Sequence, residues 1–340
     1  MLRRCGLAIA AALAVAGCQA SGQPGRLRDE QAAQIASKAR AQRHAVLGLS
    51  PERAAARLML VGFSGTGADA PIARRLRRRD FGGVVVASGN YVDDAQLAAL
   101  VDAVVSAARR ARHAPPVVFA DRLPVAMRTL HAAHVGATFG PVADLAITGG
   151  PHQRDAFSDN PQATAAVVAR AIALRSAARV ASAVGHFPGE GAASGDPDLQ
   201  PATVGLTLDD LRRADLVPFR RVARRVSAVQ MSNAMYAAFD GVTPATELPQ
   251  AVALLRGLGF HGVVVSGDLT VTAVVGGDSV ATAAVAALRA GCDLLYIPGD
   301  ASAQEGAYRA IVRAIRSGSV PPGQVKAALR RVALLQRAHG

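Results

Sequence analysis

A single (β/α)8 barrel of the TIM type is the fold that this sequence predicts, on three observations. Eight short β-rich apolar runs are spread between residues 58 and 298. Most are followed by an Ala/Arg/Leu stretch of helical period, long enough to cross to the next strand. Together they occupy 51–340, an ordinary length for one such barrel domain. An open, doubly wound sheet is the alternative that the same alternation allows.

In order, the runs are LMLVGF (58–63), GVVVAS (83–88), PVVFA (116–120), ATFGPVADL (137–145), ARVASAV (178–184), VSAVQMS (226–232), GVVVSG (262–267) and DLLYIP (293–298). The crossover helices are expected at 94–112, 161–176, 207–224, 247–257 and 275–290.

The chain opens differently. Residues 1–17 hold Arg3 and Arg4, then an apolar run from Leu7 to Ala16, the pattern of a secretory signal too short to span a bilayer stably. The run closes on Val15-Ala16-Gly17-Cys18, which resembles the bacterial lipoprotein box. That resemblance implies cleavage before Cys18 and lipid attachment there, so that the chain is exported and anchored to a membrane without crossing it. Simple secretion, with Cys18 incidental, is the competing reading. Residues 18–50 read as a tether plus an outer helix over 29–47. With Cys5 lost and Cys18 lipidated, Cys292 remains alone, and its apolar neighbours make it a core residue.

The net charge of +13 falls to +11 once Arg3 and Arg4 are removed, and lysine occurs only at Lys38 and Lys326. Such a chain suits an anionic surface such as cell wall or lipid headgroups. Nucleic acid is not an expected partner, because the arginines scatter over helix faces and aromatics make up only 4% of the chain.

In a parallel barrel the functional residues sit where strands end. Those places hold Asp121, Asp144, His186, Asn233, Gly267-Asp268 and Asp300. Any one of the carboxylates could equally be a helix cap. The stretch 179–200 stands out: an apolar run ends in His186, then a Phe-Pro-Gly turn leads into a glycine-rich loop bearing Asp196 and Asp198. Paired carboxylates at strand ends suggest glycoside hydrolysis. No metal or other cofactor is expected: His186, Asp196 and Asp198 lack a ligand spacing, and neither HExxH nor CxxC occurs. Ser266 is not in a GxSxG turn, and the glycine-rich 62–69 segment matches no phosphate-binding pattern.

Five segments, LMLVGFSGTG, FGGVVVASGN, GHFPGEG, GFHGVVVSGDL and AGCDLLYIPGD, resemble in this order glycoside hydrolase family 3, specifically its single-barrel β-N-acetylglucosaminidases of cell-wall metabolism. The resemblance runs from about Arg53 onward. It implies a cell-wall glycan containing N-acetylglucosamine as the ligand. It also implies which positions would do the chemistry, and several are changed. The family's KHFPGHG stands here as Gly185-His186-Phe187-Pro188-Gly189-Glu190-Gly191, without the lysine. The Asp-x-His pair of its mobile loop falls on Asp196 and Asp198, and Gly267 occupies the nucleophile position beside Asp268. The DQEGG segment is reduced to Asp121-Arg122-Leu123-Pro124-Val125, the sixth-strand histidine becomes Asn233, and Arg154 lies one place early for the family's arginine.

Two functions follow as expectations. One is a catalytically impaired barrel that binds glycan or a protein partner, with Asp121, His186, Asn233 and Arg154 as the ligand-binding set. The other is an active β-N-acetylhexosaminidase with relocated carboxylates, drawn from Asp268, Asp198 and Asp196.

Overall fold

The structure, a computed structural model, describes residues 48–340. The signal peptide expected at 1–17, Cys18 and the helix expected at 29–47 lie outside the described residues.

The strands, in chain order, are β1 (Met59–Val61), β2 (Gly83–Val86), β3 (Val117–Ala120), β4 (Ala137–Val142), β5 (Ala181–Phe187), β6 (Thr203–Val204), β7 (Ala228–Met231), β8 (Met235–Tyr236), β9 (Val263–Val265) and β10 (Leu295–Ile297). Eight of them form one parallel sheet in the order β10-β1-β2-β3-β4-β5-β7-β9. A parallel bridge between Val265 and Leu294 joins β9 to β10 and brings the two ends of the sheet together. This is the (β/α)8 barrel of the expected eight runs, and the open-sheet alternative does not apply. The two remaining strands, β6 and β8, pair as a small ribbon outside the barrel. At two residues each they carry no periodic signal.

The β9–β10 seam is short of strand pairing and is reinforced by one carboxylate. Asp293 is buried and accepts from the Val264 N–H at 2.9 Å. Arg256 and Arg331 donate to its two oxygens at 2.7 and 2.8 Å. On the other side of β10, Met59 pairs with Leu295 and Val61 with Ile297.

Helices cover the outside: α1 (Pro51–Arg57), α2 (Pro71–Leu76), α3 (Asp94–Arg110), α4 (Met127–Ala132), α5 (Pro161–Ala177), α6 (Leu208–Arg213), α7 (Leu216–Val222), α8 (Pro249–Gly257), α9 (Leu269–Gly276), α10 (Val280–Ala290), α11 (Ala301–Ser317) and α12 (Pro322–His339). The long ones begin on caps that the sequence supplies: Asp93 accepts from the Gln96 N–H ahead of α3, and Asn160 from two N–H groups ahead of α5. The stretch 207–224 is two helices rather than one. Pro218 has no N–H to bond back to Ala214, and the backbone breaks there. The 275–290 stretch is likewise cut at Gly277, whose φ of +66° ends α9. Cys292 is buried, as a core residue should be. No single helix among the described residues is long and apolar enough to cross a membrane.

Because the eight barrel strands run parallel, their C-terminal ends open at one mouth.

Candidate active site

A cavity of about 250 Å³ lies at that mouth, and its lining includes Asp121, Arg122, His186, Asp198, Asp268 and Tyr296. Asp121 follows β3 directly, its N–H bonded to the Val86 carbonyl of β2 at 2.9 Å. Tyr296 of β10 packs its ring against Phe139 of β4, centroids 4.9 Å apart, and the two rings give the cavity an apolar wall.

Asp268 lies beyond the end of β9, so its side chain is released from strand alternation and reaches the cavity. It is also a helix cap. Its Oδ1 accepts from the Thr270 N–H and Oγ1 at 2.8 and 2.6 Å at the start of α9. Asp300 is a cap of the same kind, accepting from the Ala303 N–H.

Asp198 reaches the cavity from the 191–200 loop. The loop is fastened at this point: the Asn233 amide donates from Nδ2 to Asp198 Oδ1 at 3.2 Å, while its Oδ1 accepts from Thr272 Oγ1 at 2.8 Å. Asp196 does not line the cavity. Its Oδ1 accepts from the Asp198 N–H at 2.9 Å and shapes the loop instead. Burial raises the carboxyls of Asp121, Asp198 and Asp268 above the ordinary range, and the charge of Asp198 adds to the rise at Asp121 and at Asp268. Arg122 and the charged His186 pull the other way at Asp121, and His186 does so at Asp198.

Gly267 stands next to Asn233. A Cβ placed on Gly267 would come within 2.7 Å of Asn233 Cγ, so the asparagine side chain fills the space into which this backbone position points.

His186, in the cavity lining, also belongs to a second and largely buried group of residues. Asp144 follows β4, His186 lies in β5, Glu190 follows the Phe-Pro-Gly turn, and His152 comes from the 145–160 loop. His186 Nδ1 is 2.9 Å from Asp144 Oδ2 and 3.4 Å from Glu190 Oε2. His152 Nε2 is 3.0 Å from Glu190 Oε2, and the two imidazoles stack with centroids 5.0 Å apart. Burial works against a charge on His186, but the carboxylates of Glu190 and Asp144 outweigh it and push the imidazole up to about 10. His152 is raised too, by Glu190 and Asp144 against its own burial. Asp144 is held below the ordinary carboxylate range by the histidines despite complete burial.

The structure therefore gathers Asp121, His186, Asn233, Gly267, Asp198 and Asp268 at one mouth. Arg154 is exposed and does not line the cavity, and Arg122 supplies the guanidinium there. The carboxylates that act on His186 are Asp144, Glu190 and Asp198. His152 and Tyr296 had no signal in the sequence beyond a histidine in a Gly-Pro-His turn and a tyrosine inside an apolar run.

Residues 124–335 match the family model for the glycosyl hydrolase family 3 N-terminal domain. The chain belongs to glycoside hydrolase family 3. Among curated proteins, a β-hexosaminidase of Pseudomonas aeruginosa is 33% identical over 192 residues, covering 54% of this chain and 56% of that protein. A β-hexosaminidase of Tolumonas auensis is 27% identical over 276 residues, covering 70% of this chain and 81% of its own length. The chain thus spans little more than half the length of the first of these relatives. Among solved structures, a family 3 β-N-acetylglucosaminidase from Paenibacillus sp. superposes with a TM-score of 0.80 at 24% identity, over 86% of this chain and 63% of that one. A β-N-acetylhexosaminidase from Beutenbergia cavernae gives 0.74 at 23% identity, over 85% and 99%. At this identity the superpositions establish the barrel, and they extend the family's fold to the first strands, which the 124–335 match leaves out.

Proposed function

We propose that this family 3 barrel is a catalytically impaired amino-sugar binder, exported, anchored through lipid on Cys18, and directed at cell-wall glycan that contains N-acetylglucosamine. The observation that carries the reading is the pairing of Gly267 with Asn233. Gly267 has no carboxylate with which to form a glycosyl ester, and the adjoining space is taken by an amide. The cavity itself is intact. Asp121, Asp198 and Asp268 offer acceptors to sugar hydroxyls, Arg122 offers donors, and the Phe139–Tyr296 wall offers an apolar face. The β-hexosaminidase relatives suggest an N-acetylhexosamine as the sugar.

One observation favours an active enzyme. Asp198 and Asp268 line the same cavity, and burial raises both carboxyls, as a general acid requires. The test covers both readings. Purified protein is assayed with a chromogenic aryl N-acetylglucosaminide, and binding of N-acetylglucosamine oligomers is measured by calorimetry. Binding without turnover supports the impaired barrel. Turnover that disappears in Asp268→Asn or Asp198→Asn establishes the relocated carboxylates and overturns it. Anchoring is read separately, from detergent-phase partitioning of the Cys18→Ser variant. Unchanged partitioning rejects the lipid.

A further inference from the structure

Asp144, His152, His186 and Glu190 each turn one ligand-type atom toward a common point, and these four atoms all lie within 4.8 Å of one another. Four of the separations are 2.9, 3.0, 3.4 and 3.9 Å. Four nitrogen and oxygen ligands placed tetrahedrally at zinc distances of about 2.0–2.1 Å are separated by about 3.3 Å. These four edges scatter on both sides of that value and the remaining two are no longer than 4.8 Å, so the four atoms already enclose a point that an ion could take as they draw in around it.

The outward atoms of the two carboxylates are already engaged. Asp144 Oδ1 accepts from the Glu190 N–H at 2.7 Å, and Glu190 Oε1 accepts from the Asn233 N–H at 3.2 Å. Backbone donors therefore fix both carboxylates with Oδ2 and Oε2 facing inward, as partners of metal-bound carboxylates do. Once a bound ion has displaced the imidazole protons, the two buried carboxylates carry two negative charges, which one divalent cation balances. No lysine or arginine takes part in the hydrogen bonds and ion pairs of this group.

We propose that Asp144, His152, His186 and Glu190 form a closed four-ligand site for a zinc-class divalent cation, which fastens the 185–191 turn to the loop after β4. Mixed imidazole and carboxylate ligands suit zinc over magnesium or calcium, which prefer all-oxygen shells. With four protein ligands and no open position, the ion is structural. It shapes the cavity floor through His186 and is independent of whether the cavity turns over a sugar. The rival is a metal-free network of two imidazoliums and two carboxylates, an arrangement that contributes little stability once desolvation is counted.

The test uses full-length protein purified without a histidine tag and stripped with chelator. Zinc alone is titrated calorimetrically, and cobalt is followed by its visible absorption. The expected result is one equivalent of zinc, tetrahedral cobalt bands, a higher melting temperature with zinc and no response to magnesium. His152→Asn and Glu190→Gln, checked for fold by circular dichroism, should each lose at least about a hundredfold in zinc affinity. If one variant does not fold, the other decides. X-ray absorption on the wild-type zinc protein should count two imidazoles in the first coordination sphere. Folded wild-type protein that takes up no zinc, or variants that bind as tightly as wild type, would overturn the site in favour of the metal-free network.

Discussion

The Asn233 side chain occupies the volume into which a side chain at Gly267 would project, with Asn233 Cγ 2.7 Å from the place of a Cβ. On the proposed reading Gly267 stands where the family's nucleophilic carboxylate is expected, and Asn233 where its sixth-strand histidine is expected. In the structure the two changes are neighbours. Asn233 is further held by Thr272 and by Asp198, so it cannot swing aside without breaking those bonds.

Restoring the carboxylate alone should therefore fail. Gly267→Asp is expected to cost about 1–3 kcal/mol of stability through overpacking and to give no hydrolysis. Adding Asn233→Ala should make the pair less destabilising than the sum of the single changes, by about 0.5–3 kcal/mol. Urea unfolding of the two single variants and the double variant measures this. Additive effects would mean that the two side chains do not compete for space.

Ligand affinity should follow the cavity lining rather than the motif. Asp198→Ala and Asp121→Ala should each weaken binding of N-acetylglucosamine oligomers by about tenfold or more, the range for a hydrogen bond to a charged group. Arg154→Ala should leave it unchanged, since Arg154 is exposed away from the cavity. Equal losses at Asp198 and Arg154, measured by calorimetry, would place the ligand elsewhere.

The seam between β9 and β10 should be the most sensitive part of the barrel wall. Asp293→Ala leaves Arg256 and Arg331 without their shared partner and removes the acceptor of the Val264 N–H. A loss of about 3–5 kcal/mol is expected from breaking a buried charged cluster on one side. Chemical denaturation monitored by far-ultraviolet circular dichroism gives the value, and a loss below 1 kcal/mol would contradict the assigned role.

Glu247, in the turn before α8, sets a pH dependence. Burial, with Asp278 nearby, pushes its carboxyl from the ordinary 4.5 up to about 7. Between those values the folded chain holds a proton that the unfolded chain has released. This group's contribution to stability is therefore full below pH 4.5, declines as pH rises to about 7, and is flat beyond. Glu247→Gln should flatten this part of the stability profile. Thermal melts at intervals across the window, compared with wild type, decide it. Identical slopes would show that the group does not titrate there.

The barrel was legible because it is written in local pattern: each of the eight runs contains or overlaps one barrel strand. The errors have local causes, such as Pro218 dividing a stretch that reads as one helix. The site was legible in part, because the rule that strand ends share a mouth places Asp121, His186, Asn233, Gly267 and Asp268 without knowledge of distances. Loop residues escape that rule. His152 and Glu190 are 38 residues apart and meet only because two loops fold over the same strand ends. Asp196 and Asp198 look equivalent in sequence, yet one closes a turn while the other faces the cavity.

The pairing of Met59 with Leu295 joins residues 236 positions apart. Loop closure over such a span adds little to the equilibrium cost, since that cost grows only logarithmically, but non-local pairing of this kind slows folding. Until β10 is in place, β1 and β9 are both bare edges of an apolar parallel sheet, the surfaces through which partly folded chains stick to one another. Slow placement of this one three-residue strand, latched by Asp293, would prolong that exposure. Yield on refolding should fall as protein concentration rises, and fall further when the latch is removed.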